Sequence, residues 1–183
     1  REEIMRQLSL PFKVLARPVD ESGFDHEDAQ TTAARLAAAK VEAVRREFRS
    51  APAWIVGAGA IVYDDLGIYA KPEDDTEAEH FLRRLSGKSH SVVTAVSLLR
   101  GRDDAMSTDW DVTTVRFAEL SEDEIRWYLG THEWQGVAGG YRIQGIAASF
   151  IEEIRGSYST VMGLPIRTLY SMLKQNQYEF PSY

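Results

Sequence analysis

Trp54-Ile55-Val56-Gly57-Ala58-Gly59-Ala60-Ile61-Val62-Tyr63, followed by Asp64-Asp65-Leu66-Gly67 and Ile68-Tyr69-Ala70, is the stretch whose reading decides the fold. The run from Trp54 to Tyr63 is apolar and punctuated by glycine, which predicts a buried strand whose backbone something approaches closely. Asp64 to Gly67 carries turn chemistry and Ile68 to Ala70 returns as a strand, so the segment reads as a hairpin. Gly57-Ala58-Gly59 is therefore no dinucleotide fingerprint, because the helix that should follow those glycines is replaced by more strand. No GxxxxGK[ST] phosphate loop is present either.

Upstream of the hairpin, Glu27 to Phe48 is rich in alanine and charge, with Leu36, Val41, Val44 and Phe48 near the helical period. It is the longest predicted helix. Before it, Glu2 to Leu10 has helical spacing stopped by Pro11, and Phe12 to Ala16 reads as a strand. Downstream, Lys71-Pro72 ends the hairpin, and Glu73 to Leu85 forms a helix with acids in its first turn, where they complement the helix dipole. Ser91 to Leu99 and Val112 to Phe117 are β-rich runs joined by a polar connection. Ser121 with Glu124 makes a capping box that opens a helix through Leu129. Phe150 to Ile154 is a further strand, and a last helix lies between Leu164 and Leu173. Helices and hairpins in this order argue against a parallel βαβ series and for a mixed, twisted sheet flanked by helices, an α/β fold.

Composition agrees with one folded domain spanning 1–183. Hydrophobic residues at 44% and charged residues at 27% are ordinary globular values. The net charge of −7 argues against a broad basic face for a long nucleic-acid backbone, while a small phosphate ligand needs only a local pocket. With no cysteine, disulfides, thiolate metal sites and cysteine nucleophiles are all excluded. No apolar run is long enough to span a bilayer and no secretory leader is visible, so the expected location is the cytoplasm.

Candidate chemistry is dispersed. The four histidines have no zinc spacing, and His90, set among strand residues, reads as structural. Arg1, Lys40 and Lys71 are single cations beside turns, as a phosphate site would use them. Each also has a plain structural role, Lys40 as a solvated helix lysine and Lys71 as the end of a strand. Ala138-Gly139-Gly140-Tyr141-Arg142-Ile143-Gln144-Gly145 is unlike core sequence: its glycines free the backbone, and Tyr141 and Gln144 offer stacking and paired hydrogen bonds to a base. A glycine-rich turn accounts for the same residues.

Taken together in order, Lys71-Pro72, Ser86-Gly87-Lys88-Ser89-His90-Ser91-Val92-Val93-Thr94, Thr113-Thr114-Val115-Arg116-Phe117, Ala138 to Gly145 and Val161-Met162-Gly163-Leu164-Pro165 make the chain resemble the Maf family over nearly its whole length. The resemblance implies a two-lobed architecture around a central cleft, homodimers, and cleavage of nucleoside triphosphates to a monophosphate and pyrophosphate with a divalent cation, Mg2+ or Mn2+. It implies Glu21 and Lys71 as catalytic residues, Glu21 as the metal ligand, and Arg1, Lys40, Tyr141 and Gln144 as substrate-binding residues. Arg1-Glu2-Glu3-Ile4 looks like the end of the family's Ser-x-Ser-Pro-Arg-Arg phosphate loop, the rest of which is expected ahead of Arg1. Tyr141 to Gly145 is most similar to the dTTP/UTP-directed members.

Two departures from the family pattern stand out. Its Gly-Ala-Asp-Thr, whose aspartate is the supposed proton acceptor, is here Gly57-Ala58-Gly59-Ala60, and its Asp-Lys-Ala-Gly is Gly136-Val137-Ala138-Gly139. Glu21, Asp64 and Asp65 are the available substitute acids, and an aspartate put back at Gly59 would be expected to sit near the metal and raise turnover. The alternative is a catalytically impaired nucleotide-binding or regulatory protein that keeps the fold. A scaffold role in septum formation has no feature of its own.

Overall fold

A computed structural model describes residues 1–22, 27–50 and 52–181. Its frame is a five-stranded sheet ordered β2-β1-β3-β4-β5, with β1 at Trp54–Asp64, β2 at Gly67–Tyr69, β3 at Ser89–Arg100, β4 at Ala105–Phe117 and β5 at Ile151–Arg155. All four pairings are antiparallel. The hairpin of β1 and β2 closes with Asp64 opposite Gly67.

Helices cover both faces. They are α1 (Glu2–Gln7), α2 (Ala29–Arg45), α3 (Asp75–Leu85), α4 (Glu122–Gly130), α5 (Tyr158–Val161) and α6 (Ile166–Gln175). Short acceptor side chains start three of them by satisfying amides that no helical carbonyl can reach. Asp28 accepts from the Thr31 amide at 2.7 Å, Asp74 from the Glu77 amide at 2.9 Å, and Ser121 with Glu124 forms the reciprocal box the sequence shows.

Successive strand side chains point to opposite faces, and this alternation divides the core. On one face Ile61, Val93 and Ala95 pack against Ala29, Ala33, Leu36 and Ala37 of α2. The other face carries two clusters. Ala58, Val96 and Leu98 take Ile4 from α1 and Leu169, Met172 and Leu173 from α6. Toward the hairpin, Val62, Val92, Val115 and Phe117 take Phe81, Leu82 and Leu85 from α3 with Ile125 and Tyr128 from α4. Leu82 and Leu85 are fully buried, each contributing about 1.5–3 kcal/mol. The cleft described below opens between these two clusters.

Two local expectations differ from the structure. Phe12 to Ala16 is not a strand: Phe12 and Val14 are exposed, only Leu15 meets a core cluster, and no described strand pairs with the segment. Alternation alone cannot make a strand without a neighbour to complete its ladder. β4 conversely begins at Ala105, well before Val112, because each β3 residue from Ser89 to Arg100 finds a partner and the ladder overrides the polar Ser107-Thr108-Asp109. Among the described residues, no helix is long and apolar enough to cross a membrane.

Candidate active site

Charges from three distant segments meet at one cleft. Glu21 comes from the loop before α2, Lys40 from the middle of α2 and Lys71 from the residues just after β2. Glu21 Oε1 lies 3.0 Å from Lys40 Nζ, and Lys71 Nζ donates to Glu21 Oε2, so one carboxylate bridges two ammonium groups. Partial burial by itself would raise the Glu21 carboxyl, but hydrogen bonds from Lys71 and Lys40 outweigh it and hold the group ionised below its usual range. Burial, then repulsion from Arg1, lowers the Lys40 ammonium against the pull of Glu21. Lys40 Nζ also reaches the Ala58 carbonyl at 3.4 Å, on the flank of β1 that β2 pairs only over Val62 to Asp64.

The cleft encloses about 1140 Å³, with Ala58, Ala60 and Val62 of β1 among the residues lining it. On one side Arg1 donates its Nε to the Gly163 carbonyl at 2.9 Å. A further part of the lining comes from the segment Gly136 to Gln144. Gly139 and Gly140 both hold φ near +70°, a conformation that costs glycine nothing, and they lead the chain into the extended Tyr141. A turn follows, in which the Gly145 amide donates to the Arg142 carbonyl at 3.1 Å; Tyr141, Arg142, Ile143 and Gln144 all line the cleft, the first and third buried, the other two less so. The structure thus brings Glu21, Lys40, Lys71, Arg1 and Gln144 to one cavity.

The family model described as Maf-like protein matches residues 1–176, all of the elements that build this cleft. The chain belongs to the Maf-like protein family. Curated relatives of this Maf-like chain carry the name dTTP/UTP pyrophosphatase. The protein of Symbiobacterium thermophilum is 42% identical over 97% of this chain and 90% of its own length. That of Hydrogenovibrio crunogenus is 34% identical over 97% and 92%, and that of Pyrococcus furiosus 37% over 95% and 89%.

In this Maf-like chain three residues near the site have protein partners of their own. Tyr141, expected to touch substrate, has a buried ring whose hydroxyl pairs with His90 Nε2 at 2.7 Å and whose edge packs against Phe117. It lines the cleft with little of its surface exposed, and burial pushes its phenol far above the ordinary value. His90 has the structural role its isolation suggests: it is buried, and desolvation lowers it to about 4 despite the charge of Asp64. Asp64 is spent on the hairpin, accepting from the Leu66 amide at 2.8 Å and from Tyr69 Oη, with Arg84 at 3.5 Å.

Gly59 has the extended backbone that any residue adopts, yet its side-chain direction runs straight into α2. A Cβ there would overlap the Ala33 carbonyl oxygen and stand 3.0 Å from Leu36 Cβ and 3.1 Å from Ala37 N. Gly57 is similar, with the Ala37 carbonyl oxygen at 2.5 Å. This close approach is what the glycines in β1 permit, and it corrects the expectation that an aspartate at position 59 would simply restore a carboxylate to the site. Arg142 is the cleft residue whose role the sequence reading left open. Its place between Tyr141 and Gln144 in the Ala138 to Gly145 motif is the signal that could have found it.

Proposed function

We propose that this Maf-like chain is a nucleoside triphosphate pyrophosphatase that cleaves a pyrimidine triphosphate, dTTP or UTP, to the monophosphate and pyrophosphate. The observation that carries the reading is the convergence of Glu21, Lys40 and Lys71 in one cleft, in a chain whose relatives across nearly its whole length are named for that activity. Attack on the α phosphorus needs an oriented water and neutralisation of charge on the departing pyrophosphate. Lys71, Lys40 and Arg1 supply the cations, and Gln144, also in the lining, offers an amide to the base. As triphosphate oxygens take over the two lysines, the Glu21 carboxylate is released to hold the water and accept its proton.

The residues present fit a divalent cation that arrives with the substrate. Among the described residues no cluster of three metal-ligating side chains exists, and Glu21 is the acid available, since Glu2, the other carboxylate lining the cleft, is turned to Arg6. Magnesium is commonly held by one or two carboxylates together with substrate phosphates. Bound that way to Glu21, Mg2+ or Mn2+ would supply Lewis acidity toward the phosphoryl oxygens. The working unit in this reading is the chain 1–183 as one domain, in a cytoplasmic homodimer.

Pyrophosphate release from a panel of triphosphates with Mg2+ and with Mn2+ tests the proposal, and release from dTTP or UTP above the purine nucleotides is expected. Silence on every triphosphate rejects it. The packing at Gly59 favours a second reading, a nucleotide-binding protein without turnover, since no aspartate side chain is available there. Micromolar triphosphate affinity combined with absent pyrophosphate release selects that reading.

A further inference from the structure

Arg142 is a cleft cation whose guanidinium is fixed in place and yet carries no counter-ion among the described residues. Its Nε donates to the Glu133 carbonyl at 3.3 Å and its Nη2 to the Gln135 carbonyl at 3.2 Å. No carboxylate among the described residues pairs with it, whereas Lys40 and Lys71 share Glu21. Both anchors are backbone oxygens of one turn, so the fork is held without being neutralised. The Nη1 group has no partner among the described residues, and Nη2 keeps a second N–H. The end of the guanidinium therefore presents two parallel donors, the geometry that grips a phosphate with two hydrogen bonds. Arg142 opens the turn that the Gly145 amide closes on its carbonyl at 3.1 Å, and it stands half-buried among the residues that line the cleft, with Gln144 in the same turn.

We propose that Arg142 is a phosphate-binding residue of this cleft, a preorganised guanidinium that takes the polyphosphate tail from the Gly136 to Gln144 part of its lining. The proposal rests on the pyrophosphatase reading for the identity of the ligand as a nucleoside triphosphate. A fork already ordered by its own backbone loses little side-chain freedom on binding, which is why it outranks an equally charged but mobile lysine.

Calorimetric binding of uridine, UMP, α,β-methylene-UTP and inorganic tripolyphosphate to the full chain tests it. Arg142→Ala should weaken α,β-methylene-UTP and tripolyphosphate by roughly 10- to 100-fold and leave uridine within about twofold. Arg142→Lys, which keeps the charge and loses the two-pronged edge, should fall between. A merely structural role would lower all ligands together, and that result overturns the proposal. Unchanged triphosphate affinity in Arg142→Ala does the same, as does a wild-type protein that binds neither polyphosphate. Should Arg142→Ala fail to fold, Arg142→Gln decides by the same criteria. A wild-type protein that binds both polyphosphates in an Arg142-dependent way but releases no pyrophosphate from UTP sinks the pyrophosphatase reading and leaves Arg142 standing.

Discussion

Replacing Gly59 with aspartate tests whether α2 really rests on the backbone of β1. A Cβ at this position would overlap the Ala33 carbonyl oxygen, with Leu36 Cβ at 3.0 Å and Ala37 N at 3.1 Å, and the first and third of these are helix backbone that no rotamer change can move. The whole of α2 must therefore back away from β1 by at least about 0.5 Å, and overpacking of this kind costs about 1–3 kcal/mol. That alone predicts Gly59→Ala to lower Tm by roughly 2–12 °C at about 2–4 °C per kcal/mol for a chain of this size. The aspartate adds a desolvated carboxylate aimed at a carbonyl oxygen, and an uncompensated buried charge costs about 3–5 kcal/mol more. Gly130 provides the control: it ends α4, nothing lies within 4 Å of its Cβ direction, and Gly130→Ala should gain about 0.5–1 kcal/mol. Thermal unfolding of the three variants, with pyrophosphate release measured on the same preparations, reads all of this. If Gly59→Asp unfolds within about 1 °C of the parent, the helix is not seated as described and the argument fails. If it also accelerates pyrophosphate release, position 59 faces the cleft after all.

His90 predicts a pH dependence. Its folded value of about 4 lies below its ordinary 6.5, so the unfolded chain binds the proton first, and stability present above pH 6.5 is lost as pH falls toward 4. The loss is about 3 kcal/mol from this group, measurable as a falling denaturant midpoint that His90→Gln should flatten; an imidazole titrating near 6.5 by NMR would refute it. Tyr141→Phe should cost about 1–3 kcal/mol, because His90 Nε2 is left buried without its partner, while the affinity for α,β-methylene-UTP stays within about twofold. A large affinity loss in that variant would return Tyr141 to the binding surface. Glu21→Gln removes the charge between Lys40 and Lys71, so triphosphate affinity should rise or hold while pyrophosphate release falls by about 10²- to 10⁴-fold. Unimpaired release would assign the chemistry to another group.

Much of the fold was legible in the sequence because it is written at short range. The hairpin at Asp64 to Gly67, the capping box at Ser121, and the apolar periodicity of α2 and α3 each depend on residues within a few positions of one another, and the structure has all of them. The ordered motifs also led to the Maf-like family, and the glycines of β1 announced a close backbone approach without saying whose. What approaches is α2, through Ala33, Leu36 and Ala37, and only the packed sheet could decide that Gly59 faces this helix. The same holds for Phe12 to Ala16, whose alternation lacked a partner strand, and for Ala105 to Asp111, whose polar residues were recruited by β3. Tyr141 and Arg142 are neighbours in sequence and both line the cleft, yet one is buried and bonded to His90 while the other holds its guanidinium on the carbonyls of Glu133 and Gln135. That difference depends on two glycines with positive φ and on partners far along the chain, a long-range condition that residue type alone does not encode.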